Sequence, residues 1–412
     1  MPNGQEQSRP QPGFSPRMVG GPNLVNNSVI PGNTRTIAFE DGLVVVRFPY
    51  PCLFLLNATA RYVWECFSAG QNVEQAALAL SVACEIPLEI TRRDVAAAVA
   101  LWHQQGLLGP LLTNHPEIKF ISKRSPESST VGTAFLPPTG IRRDYRFMGK
   151  SISLFYEDSD LENAVHPRFD GLASAQEGAS SVSIEIFREG PECIISQHGR
   201  EPIHCASPPD AGYRLFYEIT GVGHDGLELA AWLHGGVMSR AGATVLLIGH
   251  ERSGKSTMNA ALLHVGFECY GDDRILLERG SMRPAASPNA IGLKRGSWPV
   301  LRERFPQLDS LPICPIAQQE VRFLPAPPVA HKLAPPVRAV LFPKYHPAAQ
   351  SELQRLAPVE ALQRMIEAYA WVSSEIGDVE KFLHWVQSVP CYALPFSCLD
   401  RAVELVCQLE NA

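Results

Sequence analysis

The chain has 412 residues, of which 45% are hydrophobic and 19% charged, and its formal net charge at pH 7 is −6. This composition is typical of a soluble globular protein of two or three domains and excludes a mainly disordered chain. The acidic balance argues against nucleic acid or an anionic membrane as a partner. No apolar run reaches the ~18 residues of a spanning helix, and no apolar signal core begins the chain, so we expect a cytoplasmic location without membrane contact.

The ten cysteines are scattered along the chain. They form no C-x-x-C pair and no Cys/His cluster at the spacing of a zinc site. In a reducing compartment such residues act as small buried hydrophobes, so we expect neither disulfides nor a cysteine-based metal site.

The first third of the chain predicts a disordered lead-in, a small domain and a linker. Residues 1–34 are rich in Pro, Gly, Asn and Ser, which indicates disorder. The domain is expected at 35–110, where strands precede helices in an α+β, winged-helix-like arrangement. Residues 111–140 carry the prolines and serines of a linker.

Turn and capping residues set the predicted elements of this small domain. Asp41-Gly42 predicts a hairpin turn between two short strands, and a third strand is predicted before Asn57. The capping residues Asn57, Asn72 and Thr91 each predict the start of a helix. Gly106 is expected to close the last helix.

The same stretch resembles the PqqD-like domains, or RiPP recognition elements, which bind the leader segment of a precursor peptide. The resemblance covers about 35–108 and rests on Phe54-Leu55-Leu56-Asn57-Ala58-Thr59-Ala60, Val63-Trp64-Glu65 and Gln105-Gly106-Leu107-Leu108. It implies that a peptide adds as a strand to an edge of the sheet at 37–56 and packs against the helix at 92–105. A winged-helix-like module for dimerisation or simple packing remains the alternative.

Alternating hydrophobicity predicts strands in the second part of the chain. The expected strands are 151–156, 182–187, 193–196 and 213–218, followed by a short apolar segment at 227–233 and a turn at 238–241.

A glycine-rich loop then provides the strongest signal in the sequence. An apolar run, Thr244 to Ile248, leads into Gly249-His250-Glu251-Arg252-Ser253-Gly254-Lys255-Ser256-Thr257, and a helical pattern follows. Strand, loop and helix are the context of a phosphate-binding loop. Lys255 would reach the β- and γ-phosphates of a nucleotide and the Ser256 hydroxyl would ligate Mg²⁺. Glu251 is unusual here, because a carboxylate must point away from the nucleotide or weaken its binding.

Two further features surround this loop. Asp272 and Asp273 precede an apolar strand, and at its end both carboxylates can face one cleft. One would ligate Mg²⁺ and the other would accept a proton from an attacking hydroxyl, but the pattern does not say which. His234 precedes the strand that leads into the loop, which allows a place beside the γ-phosphate. A solvent-exposed Asp-Asp turn and a packed histidine are the alternatives.

These features together resemble the HPr kinase/phosphorylase catalytic domain and its stand-alone relatives. The resemblance covers about 143–400 and rests on His234-Gly235, Val245-Leu246-Leu247-Ile248-Gly249, Ser253-Gly254-Lys255-Ser256-Thr257 and Tyr270-Gly271-Asp272-Asp273. It implies an α/β P-loop fold akin to phosphoenolpyruvate carboxykinase at 141–412, and transfer of phosphate from ATP, with Mg²⁺, to a serine of a peptide or protein. His234 would be the family's active-site histidine, and Lys255, Asp272 and Asp273 would be catalytic.

The chain departs from that family downstream. Where HPr kinase carries a Glu-x-Arg-Gly signature, this sequence has Gly292-Leu293-Lys294-Arg295-Gly296 and no glutamate. The resemblance therefore does not imply HPr as the substrate or a reverse phosphorylase reaction. Lys294 and Arg295 are candidates for clamping phosphate, with a solvated basic pair as the alternative.

Joined together, the two resemblances predict a kinase that phosphorylates Ser or Thr of a ribosomally made precursor peptide held by its leader. Two alternatives remain open. One is a precursor-peptide chaperone whose nucleotide-binding half is regulatory or inactive, and the other is a small-molecule kinase. A homo-oligomer is possible under each interpretation.

Overall fold

The computed structural model describes residues 30–48, 52–108, 140–174, 182–316, 318–373 and 375–409. The predicted lead-in up to residue 29 and the predicted linker from 111 to 139 lie outside these ranges. Among the described residues, no helix is both long and apolar enough to cross a lipid bilayer.

The chain divides into two compact units, and the division differs from the predicted domain boundaries. The smaller unit contains the helices between residues 58 and 108, whereas residues 33–57 group with the larger unit that continues from residue 140. The strands and helices predicted for one small domain are therefore shared between the two units.

Between residues 58 and 108, the smaller unit contains three helices: α1 (Ala58–Ser68), α2 (Val73–Cys84) and α3 (Leu88–Gln104). Asn72 caps α2 as predicted, and it shares a reciprocal pair of hydrogen bonds with Gln75. The core is aromatic, with the rings of Trp64 and Trp102 meeting edge to face at 5.8 Å. Gly106 follows α3 with φ of +73°, which is the left-handed conformation expected after a helix end.

The prediction that Thr91 caps the third helix is wrong. The helix begins one turn earlier, at Leu88, and Pro87 stands at the preceding position. Thr91 is buried inside the helix, where its hydroxyl donates to the carbonyl of Leu88. The fixed φ of proline suits the start of a helix, and this outweighs the capping preference of threonine.

In its described residues, the larger unit combines five sheets with helices. Its first strands are β1 (Thr34–Phe39), β2 (Gly42–Arg47) and β3 (Cys52–Leu56), which form an antiparallel sheet in that order. A five-stranded sheet follows in sequence order, with helices α4 (Ser159–Val165) and α5 (Pro208–Gly223) beside it: β4 (Ile141–Phe147), β5 (Lys150–Tyr156), β6 (Val182–Glu189), β7 (Glu192–Gln197) and β8 (Ile203–Cys205).

The remaining elements follow in chain order. They are β9 (Leu229–Leu233), β10 (Gly235–Arg240), β11 (Ala243–Ile248), α6 (Lys255–His264), β12 (Glu268–Gly271), β13 (Ile275–Glu278), β14 (Pro284–Ala285), β15 (Ile291–Lys294), α7 (Trp298–Leu301), β16 (Cys314–Ile316), β17 (Gln319–Leu324), β18 (Val337–Tyr345), β19 (Gln354–Arg355), α8 (Pro358–Glu367), β20 (Trp371–Val372), α9 (Ile376–Ser388), β21 (Cys391–Phe396) and α10 (Leu399–Gln408).

A six-stranded sheet in the order β12-β10-β11-β18-β21-β19 forms the centre of this unit. Strands β11, β18 and β21 are parallel to one another. Successive residues of β11 belong to different core clusters, since Leu246 and Ile248 pack on one face and Val245 and Leu247 on the other. This alternation follows from the two-residue period of a strand, and it buries both faces of the sheet.

Two strand-level predictions for this unit are wrong. Residues 213–218, predicted as a strand, lie inside α5, which Ser207 caps and Pro208 opens. The predicted turn at 238–241 is mostly strand β10, which pairs with β11 in an antiparallel hairpin whose turn begins at Ala241. Aromatic and β-branched residues favoured the strand at 213–218, but the capping signal and the helical spacing of the apolar residues prevail.

Candidate functional site

The glycine-rich loop lies between β11 and α6, as the sequence predicts. Gly254, the last loop residue, has φ of +100°, and a Cβ built on it would lie 3.0 Å from Cζ of Phe396. A side chain there would meet both backbone strain and a buried ring, so the position requires glycine. Because the loop directly precedes α6, it lies at the positive end of the helix dipole, beside the first backbone amides of that helix.

Lys255 begins α6 and turns back over the loop. Its ammonium donates to the carbonyl oxygens of Gly249 at 2.6 Å and His250 at 2.7 Å. Only 7% of the residue is exposed, and this burial lowers the pKa of Lys255 to about 8. The ammonium of Lys255 is therefore poorly solvated, and an anion bound beside it would stabilise its charged form.

Asp272 is buried at the centre of a polar cluster. Its carboxylate accepts hydrogen bonds from Ser256 Oγ at 3.1 and 3.2 Å, from Asn259 Nδ2 at 2.6 Å and from the backbone N–H of Gly292 at 3.0 Å. Burial raises the pKa of Asp272, and the charge of Asp273 raises it further, although the hydrogen bonds act in the opposite direction. No cation pairs directly with this carboxylate among the described residues.

The donor set around Asp272 fits Mg²⁺. Ser256 Oγ and the Asp272 carboxylate are hard oxygen ligands, and they already lie within 3.2 Å of each other. The described residues contain no group of three or more His, Cys, Asp or Glu side chains placed to hold a metal ion. Mg²⁺ is commonly bound by one or two protein oxygens together with phosphate and water, so a dedicated protein cage is unnecessary.

Asp273 has a different environment from its neighbour. Nδ1 of His234 lies 3.2 Å from its Oδ1, 3.1 Å from its carbonyl oxygen and 3.4 Å from Nη1 of Arg274. Arg274 lies 3.3 Å from Oδ2. Desolvation alone would raise the pKa of Asp273, but His234, Arg274 and the more distant Arg168 outweigh it and hold this pKa well below its usual range.

Arg274 is fixed by contacts on several sides. Its guanidinium donates to the hydroxyl of Tyr213 at 2.8 Å and lies over the rings of Tyr213 and Trp232, 5.2 and 5.0 Å from their centroids. The side chain is 12% exposed. Residues from α5, β9 and the Asp-Asp turn therefore hold one guanidinium against Asp273.

The outer part of the loop carries the predicted residues Glu251, His250 and Arg252. Glu251 pairs with Lys294 at 3.3 Å, which lowers the pKa of its carboxyl group, and 69% of its side chain is exposed. His250 is exposed and lies 4.0 Å from Glu367. Arg252 is exposed and has φ of +63°. The carboxylate inside the loop is thus accommodated by an ion pair at the surface.

The remaining predicted residues are distributed between the interior and the surface. Thr257 shares a hydrogen bond of 2.7 Å with Ser297, and Ser253 Oγ is a buried atom without a hydrogen-bond partner among the described residues. Lys294 lies beside the loop through its pair with Glu251. Arg295 points elsewhere, because its side chain is 78% exposed and its guanidinium pairs with Glu320.

Sequence analysis did not identify Asn259 or Arg274 as site residues. Asn259 is fully buried within α6 and reaches Asp272 through the space left by Gly236, where a Cβ would lie 1.9 Å from Asn259 Nδ2. A polar residue among the apolar positions of a helix is the signal that was available for Asn259. Arg274 directly follows the Asp-Asp pair, but its partner Tyr213 is distant in the sequence.

Comparisons with known proteins concern the N-terminal part of the chain. Residues 46–108 match the family model of coenzyme PQQ synthesis protein D (PqqD). A solved structure described as TbiB1 in complex with the TbiA(beta) leader peptide is 17% identical, and the match covers 20% of this chain and 98% of that one, with a TM-score of 0.19. No curated protein matches the chain. The family match makes residues 46–108 a PqqD-like segment, and a larger mixed α/β region with several sheets follows it from residue 140.

Proposed function

We propose that this protein is an ATP-dependent kinase of the HPr-kinase-like type that phosphorylates a Ser or Thr hydroxyl of a precursor peptide. The observation that carries the proposal is the contact between Ser256 and the buried Asp272, at the first turn of the helix that follows the glycine-rich loop. A hydroxyl and a carboxylate so placed are the two protein ligands that a nucleotide-bound Mg²⁺ uses in P-loop enzymes.

The chain supplies separate groups for binding and for proton transfer. Loop amides and the start of α6 would hold the phosphates, and Lys255, now bonded to two loop carbonyls, would exchange them for phosphate oxygens. Ser256 and Asp272 would hold Mg²⁺, whose charge would stabilise the phosphoryl group during transfer.

Asp273 is the better candidate for receiving the proton of the acceptor hydroxyl. Its side chain is 42% exposed, whereas only 3% of Asp272 is exposed. Its lowered pKa keeps it ionised at neutral pH, and His234 and Arg274 fix its orientation. In phosphoryl transfer the base mainly positions the nucleophile, so a weakly basic carboxylate suffices.

The PqqD-like segment supports a peptide as the substrate. Domains of the family that this segment resembles bind precursor-peptide leaders by adding a strand to a sheet edge. In the sheet of β1, β2 and β3, the order leaves the outer edges of β1 and β3 without a paired strand among the described residues. A leader held there would raise the local concentration of the acceptor hydroxyl at the kinase site.

Phosphoryl transfer to a peptide tests this proposal. The purified protein, Mg²⁺ and ATP are mixed with the precursor peptide encoded nearest its gene, and the intact peptide mass is measured. We expect a gain of one phosphoryl group that Lys255→Ala abolishes while leader binding persists. The matched control Arg295→Ala removes an exposed cation that pairs with Glu320, and should retain transfer.

A second candidate is a precursor-peptide chaperone with an inactive or regulatory nucleotide site. The ion pair between Glu251 and Lys294 favours it, because it places a carboxylate in the loop and engages a lysine that would otherwise face phosphate. Tight peptide binding without any mass gain would support this candidate over the kinase.

A further inference from the structure

A cleft in the larger unit lies apart from the glycine-rich loop. Its volume is about 580 Å³, which is within the range of ligand sites. Four segments form its walls, together with Cys269 and Lys332: the β4–β5 turn at 146–149, the residues at 171–174, the stretch at 287–290 and the proline-rich stretch at 326–330.

Backbone contacts hold these walls in place. The N–H of Ser287 donates to the carbonyl of Tyr270 at 2.6 Å, and the N–H of Ala290 donates to that of Arg168 at 2.8 Å. A Cβ built on Gly171 would lie 2.9 Å from the carbonyl oxygen of Ala326, so two opposite walls meet closely. The cleft is therefore a preformed feature of the fold.

The polar groups of the cleft favour an anionic, hydrogen-bonding ligand. Arg146 and Lys332 are exposed cations on its lining, and no described lining residue is acidic. Ser287 Oγ and Asn289 Oδ1 are buried atoms without a hydrogen-bond partner among the described residues. Buried polar atoms normally find partners, so these two indicate a bound group or water. Met148, Leu172 and Val329 add apolar side chains to the lining.

The cleft is close to the Asp-Asp pair along the chain. A Cβ built on Gly271 would lie 2.8 Å from Cβ of Ser287, and Asp273 follows Gly271 by two residues. Cys269, on the same strand, also lines the cleft. At 3.2–3.4 Å per extended residue, these positions are at most about 7 and 13 Å from Asp273. An extended peptide spans such distances with about two to four residues.

We propose that this cleft binds an acidic segment of the peptide substrate, located about two to four residues from the phosphorylated Ser or Thr. The inference rests on the proposed function, since it places the acceptor hydroxyl at Asp273. Arg146 and Lys332 would pair with a carboxylate, and Ser287 and Asn289 would bond the peptide backbone. A peptide fits better than a small dicarboxylate because polar and apolar residues from four separate segments line the cleft.

Nucleotide-free binding tests this inference independently of catalysis. The probe is a fluorescein-labelled peptide of about eight residues in which a glutamate follows a serine by three positions, next to a leucine. Fluorescence anisotropy is measured with the full chain for this probe and for analogues with glutamine or lysine at that position. We expect the glutamate probe to bind about tenfold or more tightly than the glutamine probe, and the lysine probe to bind least.

Substitutions of the two cations in the cleft test where the glutamate probe binds. Arg146→Gln combined with Lys332→Gln should weaken the glutamate probe about tenfold or more. Arg338 and Lys381 are exposed cations outside the cleft lining, so the charge-matched control Arg338→Gln combined with Lys381→Gln should not weaken it. Equal binding of the three probes, or no binding at millimolar protein, would overturn the inference even if peptide phosphorylation is observed. If free glutarate displaced the glutamate probe completely at a concentration equal to that of the probe, the cleft would be a small-molecule site and the inference would also be overturned. If phosphorylation fails but the glutamate probe binds as described, the proposed function fails and the cleft remains an acidic-peptide site.

Discussion

Two neighbouring carboxylates, Asp272 and Asp273, have opposite environments. Burial raises the pKa of Asp272, whereas His234 and Arg274 lower that of Asp273. When their pKa values are shifted in opposite directions, two carboxylates in one site can perform different chemical roles. The sequence indicated the pair but not its division of roles, because the partners that divide it lie at distant positions, including Asn259 and Gly292.

Substituting each carboxylate by its amide should change stability in opposite directions. The folded pKa of Asp272 is raised, so its ionised form destabilises the protein above that pKa, and Asp272→Asn should raise Tm at pH 7. This gain should shrink as the pH falls through the raised pKa. The folded pKa of Asp273 is lowered, so its ionised form stabilises the protein above the unfolded pKa of ~3.9, and Asp273→Asn should lower Tm at pH 7.

Thermal melts of the nucleotide-free protein at several pH values measure both effects. Because Asp273 is 42% exposed, the loss for Asp273→Asn should be the smaller change. A shift of both variants in the same direction at pH 7 would contradict the assignment of their environments.

Arg274 should control the ionisation of the proposed base. Its charge lowers the pKa of Asp273, so Arg274→Gln should raise that pKa and move the acidic limb of the pH–rate profile to higher pH. Arg279→Gln is the matched control, since Arg279 pairs with Glu228 and Asp378 and has no contact with Asp273. If the acidic limb of Arg274→Gln stayed at the wild-type pH, Arg274 would not control the ionisation of Asp273.

Helices and strands that carry a local sequence pattern are predictable here, whereas pairings between distant strands are not. The strand, loop and helix around Gly254 were predicted because each carries its own local pattern. Residues 213–218 were mistaken for a strand, since their helical spacing becomes visible only when Ser207 and Pro208 are read as the start of the helix. The sheet order could not be predicted, because parallel pairing of β11, β18 and β21 joins strands far apart in sequence.

The hairpin of β10 and β11 depends on glycine at position 236. A Cβ at Gly236 would lie 1.9 Å from Nδ2 of the buried Asn259, so Gly236→Ala should displace Asn259 from Asp272. We expect a loss of about 1–3 kcal/mol in the free energy of unfolding, together with loss of phosphoryl transfer.

Gly242→Ala provides the control within the same hairpin. Gly242 has φ of +80° and nothing within 4 Å of a built Cβ, so only backbone strain of about 1–2 kcal/mol is expected and transfer should persist. Denaturant unfolding and transfer assays measure both variants. Full transfer by Gly236→Ala would show that the contact between Asn259 and Asp272 is not needed.

At the scale of the whole molecule, the N-terminal sheet and the three helices belong to different compact units. Phe39, Val44, Val46 and Leu53 share a hydrophobic core with the larger unit. The sequence could not predict this division, because the apolar pattern of a strand does not specify what covers each face. A truncation that removes residues up to 57 would therefore expose part of the core of the larger unit.

The proposed function requires that the PqqD-like segment hold the leader so that a peptide hydroxyl reaches the phosphate-transfer site. Its most direct measurement is kcat/KM for phosphorylation of the intact precursor peptide and of the same peptide without its leader, both read by intact mass. We expect that removing the leader raises KM by about 10²-fold or more and leaves kcat within a few-fold, because tethering acts through local concentration. Equal kcat/KM for the two peptides, or no phosphate on either, would contradict it.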